Sequence, residues 1–153
     1  MNKKYYDANK ELWDEFARLH YETESEGYSV KSFLEGQTTL KSYELKEMGD
    51  VKGKSLLHLQ CHFGLDTLSW AREGAIVTGI DISSEGIRLA KLLAKQTKLE
   101  AYFIELNLYD LPEVLSEEFD IVYTSIGVLC WLNDLKEWGK IITHFLKPGG
   151  FFY

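Results

Sequence analysis

The sequence predicts an α/β fold in which one parallel sheet is covered by helices on both faces. After residue 51, short apolar runs alternate with segments of helical periodicity, which is the pattern of strand-helix-strand units. The connections between them are short, and such crossovers are right-handed and join parallel strands. With 153 residues, 45% of them hydrophobic, one domain with a substantial core is expected.

Five runs are predicted as strands buried on both faces, over residues 55–60, 75–80, 99–104 and 119–124 and from residue 151 onward. Helices are predicted between them over residues 65–73 and 84–96. Asp134, followed three residues later by an acidic residue, resembles a capping box that opens a further helix, and the glycines of residues 147–150 end it. The side chains of this helix expected to face the core are Leu135, Trp138, Ile142 and Phe145.

Residues 1–50 are predicted as a helical N-terminal segment, and residues 51–153 as the sheet-forming domain. Apolar side chains at helical spacing predict an amphipathic helix over residues 7–20. Ser29 and Thr39 are predicted to cap two short helices. The aromatic side chains of this segment either form a lid over the strand ends or fill the segment's own core. They are Trp13, Phe16, Tyr21, Tyr28 and Phe33. Helical spacing favours the core for Trp13 and Phe16.

The charge and hydropathy of the chain disfavour several classes of partner. A formal net charge of −7 and no Lys/Arg-rich stretch would repel a phosphate backbone, so no nucleic-acid partner is expected. The short apolar runs and the polar N-terminus predict neither a membrane span nor a secretory signal, and the expected location is cytoplasmic. Cys61 and Cys130 are then expected to be reduced thiols.

Two predicted strand ends carry residues suited to a nucleotide-like ligand. The first strand runs into residues 60–64 directly before a helix, so backbone N–H groups there can face a ligand. Asp81 closes the second strand, where an acid can accept hydrogen bonds from both hydroxyls of a ribose. Alternatively, Asp81 only caps the turn that follows it. The G-x-G-x-x-G turn that nicotinamide dinucleotides require is absent, which disfavours a nicotinamide-dependent enzyme.

A zinc site is a further alternative for this region. His58, Cys61, His62 and Cys130 lie on or after two strands that are expected to be neighbours, and these residue types bind zinc. Strand alternation places His58 and Cys61 on different faces of the sheet, so the sequence favours no metal.

The segments LLHLQCHFGLDTLSW, VTGIDIS, FDIVYTS and LKPGG resemble, in order and spacing, the successive strand ends of class I S-adenosylmethionine-dependent methyltransferases. The resemblance covers the chain from about Leu56 to its end, and the N-terminus looks like that of an uncharacterised bacterial branch that shares HLQCHFG. It implies a Rossmann-like fold, S-adenosylmethionine as cofactor and S-adenosylhomocysteine as product. Because the family's sheet continues with two more strands, it also implies a truncated methyltransferase fold whose fifth strand is an open edge, available for a homodimer.

The first motif of the chain departs from the family pattern of apolar-apolar-acid-apolar-Gly-x-Gly-x-Gly. His58 stands in place of the acid, and Gln60 and His62 stand in place of two glycines, whereas Gly64 is retained. The loop is therefore expected either to follow another path or to contact the ligand with side chains.

The later motifs imply positions for the rest of the cofactor. By the resemblance, Asp81 holds the ribose and Ile82 lies beside the adenine. Asn107 falls where the family often has an Asp that meets the adenine amino group, next to the Leu108 backbone, although ordinary turn chemistry also accounts for it. Residues 124–125 are expected under the methionine part. The full set expected at the cofactor is Gln60, Cys61, His62, Gly64, Asp81, Ile82, Asn107, Leu108, Ser125 and Tyr21.

The resemblance predicts methyl transfer, and the acidic charge and the aromatic N-terminal segment favour a small-molecule acceptor. Alignment in a dry cavity supplies much of the acceleration of such a reaction, and no catalytic residue is assigned because His20, Tyr21 and His62 qualify as a base by position alone. The alternative is a catalytically inactive cofactor-binding or regulatory module, which the missing glycines and strands favour.

Overall fold

The computed structural model describes residues 3–24 and 27–153, and within these ranges the core is a five-stranded parallel sheet. Its strands are β1 (Ser55–Leu59), β2 (Ile76–Asp81), β3 (Ala101–Glu105), β4 (Phe119–Thr124) and β5 (Leu146–Phe152). Their order across the sheet is β3-β2-β1-β4-β5. The predicted α/β fold with a Rossmann-like parallel sheet is confirmed.

Helices cover both faces of this sheet, as the alternation of the sequence predicts. Leu57 of β1 packs in a cluster with Ile142 and Phe145, whereas its neighbour Leu56 packs on the opposite face with Trp70. The helices are α1 (Lys3–Glu22), α2 (Val30–Leu34), α3 (Ser42–Met48), α4 (Leu65–Arg72), α5 (Ser84–Thr97), α6 (Leu111–Val114) and α7 (Leu135–Phe145).

The parallel register brings several distant turns to one edge of the sheet. Leu59 of β1 pairs with Ile80 of β2 on one side and with Thr124 of β4 on the other. The residues that follow these three strands therefore meet at the carboxyl end of the sheet, which is where ligands of open α/β sheets bind.

The start of α3 differs from the prediction. Thr39 does not cap this helix, whose N-cap is Lys41. The Thr39 hydroxyl is instead hydrogen-bonded to Asp66 and Ser69 of α4, so a tertiary contact takes the group that the sequence assigns to a local cap. By contrast, Ser83 caps α5 by accepting a hydrogen bond from the Gly86 N–H.

The C-terminal elements also differ in detail. Leu135, predicted to face the core, is 52% exposed at the first turn of α7. Asp134 accepts a hydrogen bond from the Glu137 N–H, but the reciprocal half of the capping box is replaced because the Asp134 N–H donates to the Tyr109 hydroxyl. Residues 147–150 lie within β5 at an irregularity of its register, not before the strand.

In the described ranges β5 is hydrogen-bonded to β4 alone, and association of two copies through its other edge stays a prediction. None of the described helices has the length and apolar character that crossing a bilayer demands.

Candidate functional site

A cavity, here called the first cavity, opens at the carboxyl end of the sheet beneath α1. Its floor is formed by the ends of β1 and β2 and by the segments that follow β3 and β4. Its lining residues are Tyr6, Asn9, Trp13, Tyr28, Gln60, His62, Ile80, Asp81, Ile82, Leu106, Asn107, Leu108, Tyr109, Ser125, Ile126, Gly127, Val128, Trp131 and Leu132.

Asp81 lies at the end of β2 with its carboxylate held in place by backbone groups. Its two oxygens accept hydrogen bonds from the His62 N–H (2.8 Å) and the Ser83 N–H (2.9 Å). Burial raises the pKa of Asp81, and these hydrogen bonds oppose the rise. Each carboxylate oxygen retains a second acceptor site, so the turn contact does not exhaust what Asp81 can bind.

The β1–α4 loop keeps the backbone path that glycines permit, although two of its residues carry side chains. Gln60 and His62 have φ of 58° and 53°, in the left-handed region that glycine adopts at little cost. The Gln60 Oε1 and His62 Nδ1 atoms are buried and have no hydrogen-bond partner in the described part of the chain. Both residues line the first cavity, so the loop presents side chains where the family pattern presents bare backbone.

Cys61 and Gly64 lie in the same loop but outside the first cavity. The Cys61 side chain packs towards Gly79, where an added Cβ would lie 2.9 Å from its Sγ, and burial raises the pKa of the thiol. Gly64 has φ of 78° and packs against Phe103, so its role is a close approach between α4 and β3. These two residues therefore pack the loop against β2 and β3.

The apolar part of the first cavity is formed after β2 and β3 by Ile82, Leu106 and Leu108. Asn107 lies beside them, and its side-chain oxygen accepts a hydrogen bond from the Tyr109 N–H (3.1 Å). This is the turn chemistry that the sequence left as the alternative for Asn107. Asn107 lines the cavity, and its side-chain oxygen retains a second acceptor site.

Aromatic side chains from α1 and the loop after β4 cover the cavity. Trp13 packs edge-on against His62 and Trp131, with ring centroids 5.2 Å apart in both pairs. The Tyr6 hydroxyl donates to Asn133 Oδ1 at 3.0 Å, which connects α1 to the same loop. The helix α1 and the loop after β4 are therefore in contact and together cover the first cavity.

The remaining predicted aromatic residues do not line the first cavity. Tyr21 packs on Phe63 in the core between α1 and the sheet, Phe33 is fully buried there, and Phe16 stacks on His20. Among the five aromatic residues that the sequence singled out, Trp13 and Tyr28 reach the cavity.

The histidines at the site are neutral at physiological pH. His20 Nδ1 and His62 Nε2 are 3.1 Å apart, which requires that one nitrogen donate and the other accept. Burial, and secondarily the charge of His20, lowers the pKa of His62 to about 3. Burial likewise lowers the pKa of His58 to about 3.

A second cavity adjoins the first and shares Tyr28, His62, Ser125 and Ile126 with it. It extends between α4, the start of α3 and the β1–α4 loop. Its other lining residues are Gly27, Thr39, Lys41, Glu44, His58, Cys61, Phe63, Gly64, Leu65 and Asp66.

Cys130 lies apart from the histidines and Cys61, exposed on the loop after β4. Across residues 3–24 and 27–153, no three His, Cys, Asp or Glu side chains are grouped as metal ligands would be.

Several lining residues were not identified from the sequence. Tyr6 and Asn9 share a face of α1 with Trp13, but Tyr6 precedes the predicted helix and Asn9 is polar, so neither belongs to the apolar pattern. Val128, Trp131 and Leu132 belong to a segment after β4 with no recognisable motif. The only sequence signal for the loop residues is that they follow a strand end, which fixes the edge of the sheet but not which side chains turn inward.

The comparison with known families agrees with this geometry. A family model described as "Methyltransferase domain" matches residues 57–152, from β1 to the end of β5. The chain belongs to this family of class I S-adenosylmethionine-dependent methyltransferases, as the strand-end motifs predict. S-adenosylmethionine is the cofactor of the family.

Curated relatives and solved structures point to the same family. The chain is 31% identical over 109 residues to a ubiquinone biosynthesis O-methyltransferase of Photorhabdus laumondii, a match that covers 71% of this chain and 45% of that protein. The chain thus spans about half the length of the curated relatives it matches.

Two solved structures share the fold at low sequence identity. A methyltransferase from Clostridium acetobutylicum has a TM-score of 0.66 and 18% identity over 92% of this chain and 56% of that one. A methyltransferase from Thiobacillus denitrificans, in complex with S-adenosylhomocysteine, has a TM-score of 0.58 and 23% identity over 74% of this chain and 47% of that one.

Proposed function

We propose that this chain binds S-adenosylmethionine in the first cavity and transfers its methyl group to a small-molecule acceptor. The observation that carries the proposal is the buried Asp81 carboxylate, which lies between an apolar recess and a pair of unpartnered polar side-chain atoms. This order of surfaces complements the adenine, ribose and amino-acid parts of the cofactor.

The residues of the first cavity fit that group. Ile82, Leu106 and Leu108 offer an apolar surface to a base, and Asp81 offers acceptor sites to ribose hydroxyls. The unpartnered Gln60 Oε1 suits the ammonium of the amino-acid part. Ser125 completes this end of the site from the segment after β4.

The chain's contribution to transfer is alignment and exclusion of water. When bound, S-adenosylmethionine supplies a methyl group whose bond to the positively charged sulfur breaks, leaving the electron pair on sulfur, as an acceptor lone pair bonds the methyl carbon and the acceptor releases its proton. Trp13 and Tyr28 exclude water from the junction of the two cavities and present aromatic faces to a positive charge. We also propose that residues 1–50 act as the lid of this site.

A small acceptor is supported by the relatives and by the charge of the chain. The curated relatives are named as O-methyltransferases of ubiquinone biosynthesis, and that name supports a small-molecule acceptor. The net charge of −7 disfavours a polyanionic acceptor. The second cavity provides a volume of about 260 Å³ next to Ser125, which suits a small acceptor.

The proposal is tested by calorimetric titration of S-adenosylmethionine and S-adenosylhomocysteine into the native chain and into Asp81→Asn. We expect the substitution to weaken binding by about 10- to 100-fold, because a hydrogen bond to a charged group is worth about 1.5–3 kcal/mol. Glu100→Gln is the control, since Glu100 is exposed next to the start of β3 and does not line the first cavity.

Equal affinity of Asp81→Asn and native chain would disprove this placement of the ribose. Binding without methyl transfer, in assays over a panel of small phenols and amines, would favour the cofactor-binding module instead.

A further inference from the structure

The second cavity begins where the first one ends. The two share Tyr28, His62, Ser125 and Ile126, so a molecule in the second cavity reaches the end of the cofactor site that we assign to the amino-acid part. The chain therefore has a second ligand-sized space that adjoins the proposed cofactor site.

The second cavity carries two carboxylates that lack a cationic partner. Glu44 is 6% exposed and accepts hydrogen bonds from the Tyr123 hydroxyl (2.6 Å) and the Lys41 N–H (2.7 Å). Asp66 accepts one from the Thr39 hydroxyl through Oδ1. Neither carboxylate forms an ion pair with any residue that the structure describes.

His58 adds an independent sign of a ligand. Its side chain is 1% exposed and lines the second cavity, and its Nδ1 is 2.7 Å from the Thr67 hydroxyl. Its Nε2 is buried without a hydrogen-bond partner in the described part of the chain. Buried polar atoms are nearly always paired, so an orphaned nitrogen beside a cavity indicates a missing partner.

The remaining lining favours a positive charge. Tyr28 and Phe63 present aromatic side chains to the second cavity, and aromatic faces attract cations. Lys41 is the one basic side chain among its described lining residues, and it is exposed. With the imidazoles neutral, two carboxylates and one ammonium leave the cavity with a net negative formal charge.

We propose that the second cavity is the acceptor pocket and that it holds a small molecule by a positively charged amine, with Asp66 as the main counter-charge. The assignment rests on the proposed function, since it takes the methyl group to lie at the junction of the cavities. Burial raises the pKa of Asp66, and a cation bound beside it would favour the charged form of this carboxyl group. The amine anchors the acceptor, and the reacting atom lies near Ser125.

Three probes that differ mainly in charge test this proposal. Tyramine carries an ammonium, para-ethylphenol is neutral, and para-hydroxyphenylpropionate carries a carboxylate. Each is titrated into the native chain saturated with S-adenosylhomocysteine, and binding is measured by ligand-observed NMR. We expect affinity to fall in that order, with tyramine roughly tenfold tighter than para-ethylphenol.

Single substitutions test which residues produce the expected preference for tyramine. Asp66→Asn keeps an acceptor oxygen for Thr39, and we expect it to remove most of the preference for tyramine while the affinity for S-adenosylhomocysteine is unchanged. His58→Gln is expected to weaken tyramine and para-ethylphenol alike. Glu137→Gln is the control, because Glu137 lies in the first turn of α7 outside both cavities.

Two results would overturn the assignment while leaving the proposed function intact. They are equal binding of the amine and the carboxylate probe, and an unchanged tyramine preference in Asp66→Asn, each with normal binding of S-adenosylhomocysteine. Failure of the native chain to bind S-adenosylhomocysteine would overturn the proposed function, and the acceptor assignment with it.

Discussion

At the scale of single residues, three positions of the β1–α4 loop have positive φ, but a side chain fits at only two of them. Gln60 and His62 adopt left-handed backbone with a side chain present, and the first cavity gives those side chains room. Gly64 has no such space, because a Cβ there would lie 2.7 Å from Phe103 Cζ and 3.1 Å from the Ala90 Cβ. Packing, more than backbone conformation, fixes the glycine at this position.

We therefore expect Gly64→Ala to be much more destabilising than Gly36→Ala. Both glycines have positive φ, so both variants carry backbone strain of about 1–2 kcal/mol. Nothing lies within 4 Å of a Cβ at Gly36, whereas Gly64→Ala adds an overpacking cost of about 1–3 kcal/mol. Urea unfolding measures the difference, and equal losses would contradict the close approach of α4 to β3.

His58 makes stability depend on pH. Its pKa is about 3 in the folded chain because of burial, against 6.5 for an ordinary imidazole. Between these values the unfolded chain binds a proton that the folded chain does not, so the free energy of unfolding falls as pH falls from about 6.5 towards 3.

Replacing this imidazole should flatten that dependence. In His58→Gln, we expect the slope of the unfolding free energy against pH to decrease by as much as about 1.4 kcal/mol per pH unit within the window. Chemical denaturation at several pH values measures both slopes. Parallel curves for the two proteins would show that His58 is protonated in the folded chain.

At the scale of elements, α1 is attached to the sheet through the turn between β2 and α5. Asp14 Oδ1 accepts hydrogen bonds from the Ser83 hydroxyl (2.7 Å) and the Glu85 N–H (3.0 Å). Lys10 Nζ lies 3.2 Å from the Ile82 carbonyl oxygen, to which it donates. These contacts place Trp13 over the first cavity.

We expect Asp14→Ala to loosen α1 and to weaken cofactor binding. The lost hydrogen bonds involve a charged acceptor and are worth about 1.5–3 kcal/mol when buried, less at this partly exposed site. Hydrogen exchange of α1 should speed up, and affinity for S-adenosylhomocysteine should fall by about threefold to tenfold. Glu15→Ala, at an exposed position of the same helix, should change neither quantity, and an unaltered affinity in Asp14→Ala would show that α1 is not part of the site.

The strands β1 to β4 and the helices α4, α5 and α7 were predictable from the sequence to within about two residues, because burial and periodicity are local signals. β5 begins at Leu146, before its predicted start, because residues 147–150 pair at an irregularity of the register. The start of α3 was not, since the hydroxyl of Thr39 makes a contact with α4 that local sequence does not encode. At the site, Asp81 was predictable from its place at the end of the second strand, and Asn107 from the resemblance of the strand-end motifs to the family. Asn9 and Trp131 were not, because their approach to the cavity depends on how α1 and the loop after β4 pack on each other.

At the scale of the whole molecule, the first cavity joins residues from α1, from the sheet and from the loop after β4. A ligand that binds there stabilises the folded chain as a unit, by about 2.7 kcal/mol at a concentration 100 times its dissociation constant. We expect S-adenosylhomocysteine to raise the unfolding midpoint in urea by the corresponding amount. NAD at the same concentration is the control, and equal stabilisation by NAD would contradict a cavity selective for the methyltransferase cofactor.

The strand order has a consequence for synthesis on the ribosome. Parallel neighbouring strands cannot be joined by hairpins. Ser55 of β1 and Asp120 of β4 are hydrogen-bonded to each other, although they are 65 positions apart in the chain. A nascent chain has to emerge past the fourth strand before the central pairing can close. Until then the segment after β4, which carries Ser125 and Trp131, has not joined the first cavity, so a ligand that needs the whole cavity cannot assist the early steps of folding.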